Sequence, residues 1–504
     1  MLSHRDVVSG TYSTAQPNID QSCPRKSKYG LALTSDGQSE GRTPMITQQT
    51  PIHVENTTPN LRRWLVLTQY YPPETGAPQI RLRCFVRELR RRGNEVTVTT
   101  AMPSYPRGVI FDDYRRRLYC EEQIDGVDVR RVWAYAGTGK SALTRLLNYC
   151  SFAINVLPLA MLSRKPDVIF VEAQPLPLGI VALLMKRIRG VPYIYNVPDL
   201  QVDVARELGF LRWRLPLRIA ERLETLLLLN AMSVSTVTHG FMKHFESRGI
   251  PCHRISFLPN GADTELLRPY PPDMDLVDAW GLHQRLAFVY VGTHAYYHGL
   301  DTIVSAAELL KADPRITIVM VGDGPERGRI RELASSKGLT NMIFAQVPYE
   351  KTAELYSVAY AAVATLRDIP VAQGMRLSKI FPALSCGVPV IYSGRGEAAE
   401  LLKTHRCGIA VKPEDASALA QAITLLANSS SLRDELGRNG RKYVEHEYSW
   451  STIVDRWLRQ LEESRDDASP PPMNIASEQA SREPASPEMP ATAVKQSEPV
   501  ITPP

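Results

Sequence analysis

The stretch from Ala287 to Pro325, AFVYVGTHAYYHGLDTIVSAAELLKADPRITIVMVGDGP, decides how this chain folds. Ala287–Val291 is a short, wholly apolar run of the kind that fills a buried parallel strand, and Gly292-Thr293-His294 ends it. Leu300–Lys311 then reads as a helix. Ile316–Val321 is a second apolar strand, closed by the turn Gly322-Asp323-Gly324-Pro325 with proline suited to a first helical position. Strand, helix and strand, with glycine turns at the strand ends, form the unit of a parallel sheet covered by helices.

The rhythm runs on in both directions. Downstream come helix Glu326–Lys337 and strands Met342–Ala345, Ala361–Thr365, Val388–Tyr392 and Ile409–Val411. Upstream, the Pro-rich Arg268-Pro269-Tyr270-Pro271-Pro272 marks a boundary. Before it, strands are expected at Trp64–Leu67, Glu95–Thr100, Asp167–Val171, Tyr193–Val197, Met232–Ser235 and Arg254–Leu258, with an Arg-studded helix ending at Gly93. Two such series predict an α/β protein with two doubly wound, Rossmann-like domains facing across a cleft, and the cleft is the default ligand site. The expected divisions are a tail at 1–60, a first domain at 61–268, a second at 269–430, C-terminal helices at 431–465 and a second tail at 466–504. A return of those helices to the first domain is left open. The tails are rich in Ser, Thr, Gln and Pro, lack apolar periodicity, and are expected to stay disordered.

Charge is unevenly divided. Residues 61–268 hold 30 Lys and Arg against 19 Asp and Glu, a net of +11, so the remainder of this +6 chain is net negative. A basic first domain suits an anionic surface, acidic phospholipid or polyphosphate, although a solvated surface explains it equally well. Seven cysteines are scattered without a C-x-x-C pair, which reads as buried thiols in a reducing compartment. The N-terminus lacks the apolar core of a signal peptide, and the apolar stretches near Ser151–Leu162 and Leu226–Leu229 look too short for the roughly 20 residues that span a bilayer. A cytoplasmic protein with peripheral membrane contact is the expectation.

Four windows carry candidate chemistry. The loop Tyr70–Ala77 follows the first strand, and Gly76 would admit a ligand to a helix N-terminus; a plain strand–helix connection explains it too. In Gly292-Thr293-His294 with His298-Gly299, polar donors beside glycine at a helix start suit a diphosphate. Gly322-Asp323-Gly324-Pro325 needs no ligand by itself. Ser378-Lys379 leads into Ile380–Cys386, where a lysine near a helix start offers a point charge to phosphate, with Arg367 and Arg376 as further cations. Beyond the next strand, Gly394–Glu400 adds backbone amides and the carboxylates Glu397 and Glu400. Gly137-Thr138-Gly139-Lys140-Ser141 imitates a P-loop, but the pattern needs glycine where Ala134 stands. Asp112-Asp113 reads as solvated charge, and no metal site is expected.

Taken together, Gly292-Thr293-His294, Gly322-Asp323-Gly324-Pro325, Ser378-Lys379, Gly387-Val388-Pro389-Val390, Gly396–Glu400 and Pro259-Asn260-Gly261-Ala262-Asp263 resemble glycosyltransferase family 4, of the GT-B architecture. Tyr71-Pro72-Pro73-Glu74, Gly76-Ala77 and Pro103-Ser104-Tyr105-Pro106 are similar to a subgroup that assembles bacterial O-antigen and exopolysaccharide, including fucosamine-type transferases. The resemblance covers about residues 62–463. It implies a retaining, metal-independent transferase without cofactor, a nucleotide-sugar donor (a UDP-sugar first) on the second domain, and a polyprenyl-diphosphate-linked acceptor on the first. It does not imply nucleic-acid binding. By position it implies that Lys379 and Gly292, Thr293, His294 and His298 meet the diphosphate. Gly322, Gly324, Arg367 and Ser378 are implied as further donor-binding residues, and Gly394, Gly396, Glu397 and Glu400 lie by the donor phosphate and sugar. Glu74, Gly76 and Asp199 face the acceptor, with Glu74, Gly76, Asp199 and Lys379 as the catalytic set. The family's paired glutamates fall at Gly374 and Pro382. The absence of a carboxylate at Pro382 motivates a second reading, a degenerate relative that binds nucleotide-sugar or glycolipid as a regulator or partner.

Overall fold

The computed structural model describes residues 62–74, 76–105, 108–137, 142–200, 202, 214–369 and 377–466. The tail at 1–60, the second tail beyond Asp466, Thr138–Ser141 of the P-loop imitation, Gly374 and Arg376 lie outside the described residues.

The first domain is built on eight strands, β1 (Arg63–Leu67), β2 (Glu95–Ala101), β3 (Tyr119–Ile124), β4 (Val127–Val132), β5 (Val168–Glu172), β6 (Tyr193–Val197), β7 (Ser233–Thr236) and β8 (Ile255–Phe257). Their order is β3-β4-β2-β1-β5-β6-β7-β8, and only β3 runs antiparallel to its neighbour. The β3–β4 hairpin was not among the strands expected from sequence, yet it has a signal there. Asp125-Gly126 separates two runs, and both residues adopt positive φ (52° and 72°), as a tight hairpin turn requires. Helices α1 (Ala77–Arg91), α2 (Ala142–Leu162), α3 (Leu176–Arg189), α4 (Arg214–Asn230) and α5 (His239–Ser247) complete this domain's own layers.

The second sheet is wholly parallel. It comprises β9 (Leu286–Val291), β10 (Ile316–Val321), β11 (Met342–Ala345), β12 (Ala359–Thr365), β13 (Val390–Ser393) and β14 (Gly408–Val411), in the order β11-β10-β9-β12-β13-β14. Around it lie α6 (Met274–Ala279), α7 (Asp301–Leu309), α8 (Arg327–Ser336), α9 (Thr352–Ser357), α10 (Ile380–Ser385), α11 (Glu397–Thr404), α12 (Ala416–Ala427) and α13 (Ser430–Tyr443). In each sheet the strand order reverses beside the first strand. β1 pairs with β2 on one side and β5 on the other, and β9 with β10 and β12. Crossovers leave in opposite directions at these points, so a crevice opens over each, and the loops after β1 and β9 line it.

After a π-helical turn at Val444–Tyr448, the last helix, α14 (Trp450–Asp466), crosses back to the first domain. Trp457 is fully buried against Phe85, Phe170 and Trp64, and its indole donates to Ser235 Oγ at 2.9 Å and Ser256 Oγ at 3.1 Å. The crossing passes so close to the interdomain segment that an added Cβ on Gly261 would sit 2.5 Å from the Tyr448 carbonyl oxygen. Ala262 N donates to that same oxygen at 2.9 Å.

One sequence expectation needs correction here. The apolar stretch ending at Leu162 is longer than its composition suggested, because α2 begins at Ala142 and Leu143–Leu162 is long and apolar enough to cross a membrane. Leu143, Leu147 and Ile154 fall on one side of it, and that side is exposed.

Candidate active site

Lys379 sets the chemistry of the second domain. It stands immediately before α10, and its Nζ donates to Tyr290 Oη at 2.8 Å, lies 4.4 Å from the Tyr290 ring centroid and 3.3 Å from His298 Nε2. Tyr290 comes from the buried end of β9, two residues before Gly292, and its hydroxyl in turn donates to the Thr293 carbonyl at 2.8 Å. A Cβ added to Gly292, whose φ is 146°, would stand 2.9 Å from Lys379 Nζ. Glycine is therefore what allows the ammonium to lie against the loop backbone. Burial draws the Lys379 pKa down to about 7. Burial, reinforced by the Lys379 charge, draws that of His298 down to about 2. His294 falls to about 4, first through burial and then through the nearby Arg327 and Lys379 charges. Both histidines are thus neutral around a cation. His294 Nδ1 and Nε2 and His298 Nδ1 are buried and find no partner among the described residues. An ammonium, a bare glycine backbone and neutral imidazoles form a cradle for an anion of diphosphate size.

Gly322 and Gly324 serve this cradle without facing it. Added Cβ atoms would come within 2.0 Å of the Gly292 carbonyl oxygen and 2.5 Å of the His294 carbonyl oxygen, respectively, and the two φ values are 136° and 152°. The loops after β9 and β10 lie backbone to backbone, with His294 N donating to Asp323 O at 2.8 Å and Glu326 N to His294 O at 3.0 Å. Their role is support of the cradle rather than contact with a donor. Thr293 is exposed beside them, and Ser378 is half-buried next to Lys379.

Other expected donor contacts prove engaged elsewhere. Arg367 donates to Asp301 at 2.6 Å, Glu414 at 2.9 Å and the Tyr296 carbonyl at 2.8 Å. Two carboxylates thus hold its guanidinium, and it braces the loop after β9 instead of offering a free charge to phosphate. Glu400 is exposed one turn into α11 and lies 3.4 Å from Lys403. Glu397 accepts from Gly240 N of α5 at 3.1 Å, so it bridges the two domains. Gly396 (φ 82°) precedes α11, and a Cβ on Gly394 would meet the Tyr392 ring. Pro382 falls in the first turn of α10, where an N–H has no helical acceptor, so it does not disrupt the helix.

Across the cleft, Glu74 is only 3% exposed, and its Oε1 accepts from Ser104 N at 2.7 Å and Tyr105 N at 2.8 Å. Burial pushes its carboxyl up to about 7 against those bonds. This oxygen holds the loop after β2. Gly76 caps α1 in extended backbone that any residue adopts, and a Cβ there would meet only the end of Gln79. Asp199 follows β6, half-buried, with its carboxyl raised by burial. Asp199 and Tyr105 both act on Tyr297 of the second domain, raising its phenol after burial does. Charges of the first domain therefore reach Tyr297, whose ring lies 4.4 Å from that of His298. Neither Tyr290 nor Tyr297 was expected from sequence; for Tyr290 the available sign was a tyrosine near the end of an otherwise wholly apolar buried strand, because its hydroxyl must find a partner. Among the described residues no three His, Cys, Asp or Glu side chains cluster for a metal.

Two parallel-sheet α/β domains across a cleft, each with a loop at its switch point, define the GT-B class of glycosyltransferase folds. Within that class, residues 76–261 match the glycosyl transferase 4-like domain and residues 279–443 the group 1 glycosyl transferases. A glycosyl transferase 4-like domain followed by a group 1 domain is thus what the two halves of the chain match. It is 26% identical over 393 residues to an Escherichia coli K12 glycosyl transferase named for colanic acid biosynthesis, WcaI, covering 74% of this chain and 93% of that one. Among solved structures it resembles sucrose-phosphate synthase from Thermosynechococcus elongatus, with TM-score 0.62 and 21% identity over 81% of this chain and all (100%) of that one. Anabaena HepE in complex with UDP and glucose gives TM-score 0.60 and 18% identity over 80% of this chain and 99% of that one.

Proposed function

We propose that the chain is a retaining glycosyltransferase that moves a sugar from a nucleotide-sugar to a lipid-linked or nascent polysaccharide acceptor in exopolysaccharide or O-antigen biosynthesis. The observation that carries this reading is the cradle of Gly292, His294, His298 and Lys379 at the β9 switch point, opposite the acceptor-side loops of the first domain. The donor diphosphate lies against the Gly292 backbone with Lys379 Nζ beside it. As the bond from the sugar's anomeric carbon to the diphosphate breaks, Lys379 meets the charge on the leaving oxygens, the acceptor hydroxyl oxygen takes that carbon with retention, and its proton passes to the departing diphosphate. No metal or cofactor takes part. A UDP-sugar is the donor of first choice, in keeping with the UDP held by HepE. A polyprenyl-diphosphate-linked acceptor agrees with the relative named for colanic acid biosynthesis.

Peripheral contact with the inner face of the plasma membrane completes the proposal. Exposed Leu143, Leu147 and Ile154 of α2, Ile188 of α3 and Leu215 and Ile219 of α4 share the first domain's surface with exposed Arg187, Arg218 and Arg222. Apolar side chains interleaved with arginine suit an anionic bilayer surface. The decisive experiment incubates the purified chain with radiolabelled UDP-, GDP- and dTDP-sugars and a bacterial lipid extract. Transfer of label from one donor to lipid, with the anomeric configuration kept, is expected. Nucleotide binding without transfer from any donor would overturn the enzymatic reading.

A further inference from the structure

Outside the cradle, the first domain contains a cavity of about 670 Å³ between the loop after β2, the end of β4 and the first turn of α2. Its walls include Val109, Ile110, Trp133, Tyr135, Thr144 and Arg115. The Arg115 side chain is 58% exposed, and its one ion pair among the described residues is to exposed Asp112, at 2.9 Å. It heads the run Arg115-Arg116-Arg117, all three exposed. Immediately beyond Thr144, the opening turns of α2 present Leu143, Leu146 and Leu147, exposed at 65%, 53% and 47%. Aromatic walls, a guanidinium and an apolar ramp thus follow one another from the cavity outward.

That sequence of surfaces matches an amphiphile with an anionic sugar head. Trp133 and Tyr135 offer faces to a sugar ring, Arg115 offers paired N–H groups to phosphate, and α2 offers apolar area to an alkyl chain. We infer that this cavity holds the head group of a lipid-linked acceptor, a sugar on a diphosphate, with its tail leaving along α2. The inference rests on the glycosyltransferase reading and adds the place where the acceptor enters. The cavity is wired to the cleft. The loop carrying Val109 and Ile110 also supplies the Ser104 and Tyr105 N–H groups to Glu74. The Tyr135 carbonyl accepts from Asn148 Nδ2 at 2.6 Å, and Asn148 Oδ1 accepts from Gln69 Nε2 beside the β1 loop.

The test measures binding of farnesyl-diphosphate-linked N-acetylglucosamine to the full chain by equilibrium dialysis, independently of turnover. A farnesyl glycoside of the same sugar without phosphate runs alongside. Wild type is expected to bind the diphosphate compound saturably. Trp133→Ala is expected to weaken both compounds by about tenfold or more, and Arg115→Ala the diphosphate compound alone, while UDP affinity stays within about twofold. Trp133→Phe, which keeps an aromatic face, is expected to restore binding. Because Arg115 is an exposed side chain, its variant stays informative if Trp133→Ala fails to fold. Absence of saturable binding to wild type, or unchanged affinity in Arg115→Ala, overturns the inference even if sugar transfer is observed. Binding without transfer leaves the cavity standing and counts against the enzymatic reading.

Discussion

Lys379 carries the largest single stake among the residues. With its pKa near 7, it is about half protonated at neutrality in the absence of ligand. The protonated form attracts a diphosphate, so nucleotide affinity falls as pH rises through about 7, and binding above that pH takes up a proton. Affinities at pH 6 and pH 8.5 are expected to differ by about tenfold, measurable by calorimetry in buffers of different ionisation enthalpy. The unfolded chain keeps this lysine protonated to about pH 10.4, so between about 7 and 10 the unfolded state binds the extra proton and stability rises with pH. Lys379→Met is therefore expected to raise the melting temperature at pH 6 while lowering nucleotide affinity at least about tenfold. Equal melting temperatures would contradict the buried-cation account. At Glu74 the competing ideas separate cleanly. An amide oxygen still accepts from Ser104 and Tyr105, so Glu74→Gln is expected to keep activity within about tenfold, whereas Glu74→Ala frees the loop and loses about a hundredfold. Equal losses would restore a catalytic carboxylate.

At the scale of elements, the paired loops after β9 and β10 work as one unit. Gly322→Ala drives a methyl group toward the Gly292 carbonyl at a φ that side chains rarely adopt. It is expected to cost about 2–4 kcal/mol in denaturant unfolding and to abolish nucleotide binding without touching ligand. Unchanged stability would mean that the loops separate at little cost. Helix α2 is the other unusual element, apolar on its buried and exposed sides alike. Such a helix normally lies in a core or a bilayer. The double variant Leu147→Glu with Ile154→Glu is expected to fold normally, since both side chains are exposed, and to lose most of its sedimentation with anionic vesicles. Retained sedimentation would move the membrane contact elsewhere.

Across the whole molecule, α14 makes the first domain depend on the end of the chain. Trp457 packs between Trp64, Phe85 and Phe170 of the first domain. Trp457→Ala is expected to destabilise by about 3–5 kcal/mol in chemical denaturation and to disturb the first domain's packing rather than the cradle. A change confined to the second domain would refute that coupling. The domains also touch through Glu397 and Gly240, and both ends of the contact lie at helix N-termini near the cleft.

The paired α/β series and the proximity of the glycine–histidine–lysine set at 292, 298 and 379 were readable from the chain, because buried strands, turn glycines and loop positions leave local patterns. The β3–β4 hairpin also leaves a local sign, Asp125-Gly126 between two short runs. What the chain could not show were partners distant in sequence. Arg367 looked free until Asp301 and Glu414 closed on it, Glu74 gave no sign that Ser104 and Tyr105 donate to it, and Tyr290 looked like a core residue until Lys379 reached its hydroxyl. Sequence alone determined which residues stand at the carboxyl ends of the strands. Only the tertiary structure decided which of their charges remain available, because burial and long-range pairing depend on neighbours that local spacing does not encode.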